Sequence, residues 1–207
     1  MTKQQERKQA RTVMKLLTPI VTRCRTFVFE VQHGSSLPAI SQDFRGNAKH
    51  LHVLKLECEF YDGDKTLFYG AAPEIPEGEE FKCPCLTTLA LDGNTFRDAY
   101  FASWTKQFKS TYLNSLSIYG LSPPDAENVG DDFDLDALCQ GLRDIGFIHH
   151  LTLHDHNHFY VEGASYSGGD SDLTWDNLTL IGHGMEDFLV VTYPVLLLPP
   201  IWLRSRL

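Results

Sequence analysis

One short apolar template occurs six times along this chain of 207 residues. It reads apolar-x-x-apolar-x-apolar, at Cys24-x-x-Phe27-x-Phe29, Leu51-x-x-Leu54-x-Leu56 and Leu86-x-x-Leu89-x-Leu91. It returns at Leu113-x-x-Leu116-x-Ile118, Ile148-x-x-Leu151-x-Leu153 and Trp175-x-x-Leu178-x-Leu180. The starts are separated by 27, 35, 27, 35 and 27 residues. One such hexad arises easily in a chain that is 43% hydrophobic, but six on two alternating spacings do not. Side chains alternate between faces along a strand, so the fourth and sixth positions point the same way. The first position plugs the same core at the turn into the strand. No unit buries this ridge alone, whereas parallel stacking of the units buries all of it.

The expected fold is therefore α/β: a leucine-rich-repeat-like solenoid of about six parallel strands, with outer helices or irregular connections. Its spacing matches or exceeds the roughly 20–29 residues of leucine-rich repeats. The longer units have room for insertions, and two acidic, proline-bearing stretches, 62–80 and 122–132, are expected as exposed loops. Three stretches are expected as outer returns. Residues 36–44 place Leu37, Ile40 and Phe44 at helical spacing, with Ser36 as N-cap and Pro38 in the first turn. Residues 97–108 place Tyr100, Phe101, Trp104 and Phe108 on one helical side, and 134–144 do the same with Leu135, Leu138, Cys139 and Leu142. Gly146 follows as a C-terminal stop. Three regions result: a basic N-terminal helix over 1–19, closing before Pro19; the repeat domain over 20–189; and a hydrophobic C-terminal tail over 190–207. The apolar run 188–203 is shorter than the ~20 residues of a membrane span and contains Pro194, Pro199 and Pro200. No membrane span is expected; a terminal strand and an extended tail are.

Charge is unevenly placed. Residues 1–25 hold seven basic side chains against Glu6, a net of +6, which leaves −15 on the rest of a chain whose total is −9. An acidic body excludes general nucleic-acid binding, since phosphate contact needs a basic face. The basic head is of the kind that touches nucleic acid or an anionic membrane, and a solvated cationic helix face is its simpler reading. Five cysteines form no dense framework, and no apolar signal-peptide core opens the chain. Both point to the cytoplasm or nucleus. Cys83-x-Cys85 lacks a second pair at zinc spacing and reads as structural thiols.

Several motifs together resemble the fungal F-box/leucine-rich-repeat proteins. They are Leu16-Leu17-Thr18-Pro19 with Arg23-Cys24-Arg25, then Ser35-Ser36-Leu37-Pro38, the Leu-x-x-Leu-x-Leu strands, and Leu89-Ala90-Leu91-Asp92-Gly93 with Phe96-Arg97-Asp98. The resemblance runs over about 16–189. It implies substrate recognition for SCF-type ubiquitin ligases, with the repeats binding the target and the F-box binding the ligase adaptor. No F-box is visible before the first strand, so binding of the ubiquitin-ligase adaptor is not expected from this stretch.

The repeat register also predicts a binding face. With the first, fourth and sixth positions buried, the third, fifth and seventh line a concave side. The candidate contact residues for a protein partner are Glu30, Lys55, Glu57, Asp92, Ser117, Tyr119, His150, Thr152 and His154. The acids suit a basic partner segment, with Tyr119 as anchor. A plain solvated sheet surface is the alternative.

Other chemistry is thinly supported. His149, His150, His154, His156 and His158 cluster, and a metal-dependent enzyme built on 149–158 is the rival function; a structural fragment without function of its own is another. The register puts His150, Thr152 and His154 on one face and His156 and His158 in the following turn. Residues 168–172 lack the downstream glutamate of a calcium loop, and 163–167 miss the last glycine of a nucleophile elbow. Asn177-Leu178-Thr179 is a formal sequon inside an expected strand. There is no glycine-rich phosphate loop. The expectation is a non-enzymatic recognition scaffold with no metal and no cofactor.

Overall fold

A computed structural model describes residues 2–61, 80–108, 112–120, 135–154, 175–181 and 201–204. The architecture is α/β. Helix α1 spans Lys3–Val21, followed by strand β1 at Thr26–His33 and the short helix α2 at Ile40–Asp43. Strands β2 (Val53–Phe60) and β3 (Thr88–Asp92) lead into helix α3 (Gly93–Phe101) and strand β4 (Leu113–Tyr119). Helix α4 (Leu135–Ile145) precedes β5 (Ile148–His154), β6 (Trp175–Ile181) and β7 (Ile201–Arg204). All seven strands form one parallel sheet whose spatial order is the chain order, β1 to β7.

The hexads set the register. Their fourth positions align across neighbouring strands as Phe27, Leu54, Leu89, Leu116, Leu151 and Leu178. Their sixth positions align as Phe29, Leu56, Leu91, Ile118, Leu153 and Leu180. Leu51, Leu86, Leu113 and Ile148, four of the first positions, are also buried. This ladder packs against Ile40, Phe96, Leu138 and Leu142 from α2, α3 and α4 in a single core. A row of aromatic rings runs through that core alongside the strands. Phe27 meets Phe44 edge-on at 5.9 Å, Phe44 meets Phe81 at 5.0 Å, Phe81 stacks on Trp104 at 6.0 Å, and Trp104 meets Phe108 at 4.8 Å. The Trp104 indole N–H donates to the Phe81 carbonyl, so its polar edge is satisfied inside the core.

Helix α1 closes the β1 end. Thr2 and Gln5 cap it reciprocally, and Glu6, Ala10, Met14 and Val21 are its buried stripe. The helix does not stop before Pro19 but carries it inside. Proline has no N–H to give the carbonyl four residues back, so the last turn forgoes one intrahelical bond. The turn after it is held by the Thr22 hydroxyl on the Pro19 carbonyl and by the buried Val21.

Other local expectations shift for identifiable reasons. Ser36 does not cap a helix over 36–44. Leu37, before Pro38, is extended at ψ 146°, so only Ile40–Asp43 is helical. Its missing cap comes from elsewhere: the Ala39 N–H donates to the Asp43 carboxylate and the Ser41 N–H to Asp98 on α3. Burial raises the Asp98 pKa, and the hydrogen bonds from Ser41 pull against that rise. The 97–108 stretch is not one helix, because Ser103 turns into the left-handed region at φ 56°. Phe101, the last residue of α3, lies off the Phe96–Ala99 face of that helix and is 54% exposed, while Phe96, Trp104 and Phe108 take the core. Helix α4 follows expectation: Leu138, Cys139 and Leu142 are buried, and Gly146 at φ 82° ends it by donating to the Leu142 and Arg143 carbonyls. A terminal strand was expected in the apolar run near the end, and Ile201–Arg204 pairs with β6 as β7, so the described residues hold seven strands where about six were expected. The expected insertions fall almost wholly outside the described residues.

Candidate functional site

Helices and strand ridges occupy one side of the sheet. On the other side stand the alternate residues of each strand: Thr26, Val28 and Glu30 on β1; Val53, Lys55 and Glu57 on β2; Thr88 and Ala90 on β3. Ser115, Ser117 and Tyr119 follow on β4, His150, Thr152 and His154 on β5, and Asn177, Thr179 and Ile181 on β6. Apart from Ala90, all of these are partly or fully exposed. Parallel sheets are normally covered on both faces. Here, among the described residues, one face is left open.

The candidate contact residues divide into three groups. At the β1–β2 end, Glu30 and Glu57 are register partners, and the Lys55 ammonium lies 4.0 Å from the Glu57 carboxylate. Two carboxylates on neighbouring strands repel, and Lys55 offsets part of that. In the middle, Ala90, Ser117, Thr152 and Thr179 align in one row of small side chains, which lets a partner backbone come close to the sheet. At the far end Tyr119 and His154 are register partners whose rings stack at 4.5 Å and 25°.

Asp92 is a correction. It was expected on the open face, in the seventh column with Glu30 and Glu57. It is 1% exposed, and its carboxylate accepts the Thr95 N–H at 2.9 Å as the N-cap of α3. The chain leaves the sheet at Gly93, so β3 has no open seventh position to offer. The acidic character is confined to β1 and β2, where both strands outrun the hexad. Gln32 and Glu59 extend the exposed alternation there and were missed. The signal was present: from Leu54 to Phe60 apolar and charged residues alternate strictly to the end of the strand.

The described histidines do not assemble. His150 and His154 share the open face but stand four strand residues apart, about 13 Å along the backbone. Ligands of one zinc lie within about 2 Å of the ion, so a backbone separation this long does not favour a shared ion. His149 instead stacks edge-on with His150 at 4.1 Å and packs near Tyr112 at 6.4 Å. Among the described residues no three His, Cys, Asp or Glu side chains converge on a point. His156, His158 and the motifs at 163–167 and 168–172 lie outside the described residues. Cys83 is buried and burial raises its thiol pKa, whereas Cys85 is exposed. No described helix is long and apolar enough to cross a membrane.

Comparison with protein-family models, with curated proteins and with solved structures finds no match to this chain.

Proposed function

We propose that this chain is a non-catalytic protein-recognition scaffold, a leucine-rich-repeat-like solenoid that binds a partner on its open sheet face. The observation carrying this reading is that face itself: a parallel sheet in strict chain order, ridged into its core on one side and uncovered by described elements on the other. Stacked-repeat proteins use such extended faces for binding. The chemistry of the face suits a protein segment. Glu30, Glu57 and Glu59 favour a basic stretch, the row of small side chains admits its backbone, and Tyr119 stacked on His154 offers an aromatic anchor. On the resemblance to F-box/leucine-rich-repeat proteins, the role we propose is substrate recognition for SCF-type ubiquitin ligation. Metal-dependent catalysis on 149–158 is the rival, and the separation of His150 from His154 weighs against it.

The test is quantitative affinity purification of the full chain beside two variants, Glu57→Lys/Glu59→Lys and Tyr119→Ala. All three positions are at least partly exposed, so thermal melts should stay near the parent. At least one partner recovered by the parent should fall severalfold with either variant. An interactor profile identical in all three proteins would overturn the proposal.

A further inference from the structure

A second surface of opposite charge lies at the other end of the molecule. Arg7, Arg11 and Lys15 recur at every fourth residue of α1, beside its buried stripe. They line one bank of a cleft of about 350 Å³ that separates α1 from the turn and short helix of 34–43. The floor is apolar, made by Ala10, Met14, Leu37 and Pro38. A more open hollow of about 370 Å³ lies along the same three cations on their outer flank. The Arg7 Nε donates to the Ser35 carbonyl at 3.0 Å, which fixes that cation at one end. The Arg11 and Lys15 side chains are exposed and make no hydrogen bond or ion pair among the described residues. Asp43, the one carboxylate among the described lining residues, is engaged with the Ala39 N–H.

We propose that this cleft is a docking groove for an extended acidic segment of a partner protein. The spacing fits that occupant. Helix residues four apart are about 6 Å apart along the axis. Alternate residues of an extended strand are about 6.6 Å apart. A segment carrying carboxylates at every second position therefore meets Arg7, Arg11 and Lys15 in turn, and the side chains between them turn to the Met14–Leu37–Pro38 floor. The size is at the low end of the roughly 300–1,000 Å³ of ligand clefts and accommodates a few side chains. A nucleic acid fits less well, because the −15 carried by the rest of the chain repels a long polyanion. An anionic membrane also fits less well. A surface-lying helix buries its apolar face in lipid between flanking cations. On α1 the Ala10–Met14–Val21 face is already buried in the protein, and the exposed Val13, Leu16 and Ile20 lie on the side of the helix away from Arg11.

Fluorescence anisotropy with a labelled ten-residue peptide alternating glutamate and valine tests the proposal on the full chain. The control peptide carries glutamine in place of glutamate, and phosphatidylserine vesicles are assayed in parallel by co-sedimentation. The glutamate peptide should bind, and its affinity should fall as salt screens the contacts. The double variant Arg11→Gln/Lys15→Gln should weaken it about three- to tenfold, as loss of two exposed ion pairs implies. Arg11→Lys/Lys15→Arg should retain binding, and melts of all variants should match the parent. Equal binding of the two peptides, an unaffected double variant, or capture by vesicles with no peptide binding would each overturn it. The outcome is independent of the open sheet face, since no residue is shared.

Discussion

Glu6 joins three parts of the molecule through one carboxylate. It is 6% exposed on α1, yet it accepts the backbone N–H of Gln32 at 2.6 Å and of His33 at 3.1 Å, at the end of β1. The Ser36 hydroxyl donates to it at 3.0 Å, and the His33 ring Nδ1 lies 2.8 Å away. These donors explain why Ser36 is unavailable as a helix cap. They also decide the ionisation. Burial pulls the Glu6 pKa up, but the bonds from Gln32, His33 and Ser36 outweigh it, and the carboxyl titrates below its ordinary 4.5. A carboxylate with a depressed folded pKa contributes stability that is present above the unfolded value and lost as pH falls through the folded one. Glu6→Gln keeps the shape and removes the charge, so it should lower unfolding free energy at pH 7 by roughly 1.5–3 kcal/mol. In urea titrations at a series of pH values, the gap between parent and variant should narrow as the pH drops below 4.5. A gap that is constant down to the most acidic sample would mean that the charge of Glu6 is not what holds β1 to α1.

Where strands give way to helices, single capping side chains set the boundaries, and Asp92 is the clearest. Its carboxylate is buried, caps α3 and fixes the point at which β3 leaves the sheet. Asp92→Ala should cost about 1–2 kcal/mol in thermal or chemical unfolding, while Asp92→Asn, which retains a capping oxygen, should cost less. Equal losses from both would assign the effect to burial and not to the cap. The same residue marks how far the elements could be read in the sequence. The strands and their register were legible because the period-two ridge is local and repeats six times; every hexad found its neighbour. The helix α4 was legible for the same reason, its leucines and Gly146 forming a complete signature. What escaped depends on tertiary partners. Asp92 has the residue type of an N-cap, but column counting placed it on an open face. Phe101 belongs by spacing to an aromatic stripe, but α3 turns its Phe96–Ala99 face to the core, and the chain breaks at Ser103 before Trp104 and Phe108 reach it. Pro19 reads as a stop, yet packing of Val21 carries the helix past it. The open face was legible as a set of rows, but not where its acids end, since that depends on strand lengths beyond the hexad. The cationic stripe of α1 was visible as charge, and the cleft beside it was not, because it forms only when α1 meets the 34–43 turn.

At the scale of the whole molecule, chain order equals spatial order, and this shapes how stability spreads. Each strand is hydrogen-bonded to its neighbours in sequence. The core has no long-range strand crossing that ties β1 directly to β5. In such an arrangement a defect at one end should act mainly on the units next to it, as nearest-neighbour coupling requires. Met14 offers the test, because it is 1% exposed and packs from α1 onto the core at the β1 end. Met14→Ala removes buried volume and should cost roughly 2–5 kcal/mol locally. Hydrogen exchange read strand by strand should show amides of β1 and β2 losing protection first, with β4 and β5 changed far less. Strand β1 matters most here, because Glu6 holds its far end through the Gln32 and His33 N–H groups and Met14 holds its core side. A round core unfolding as one unit would instead lower the protection of all slow amides by the same amount. Equal loss in β2 and β5 would show that the sheet is one cooperative block in spite of its sequential order. A gradient from β1 outward would show that its units are coupled chiefly to their neighbours, so that binding at the α1 end and binding on the sheet face at β4–β5 act as separate events.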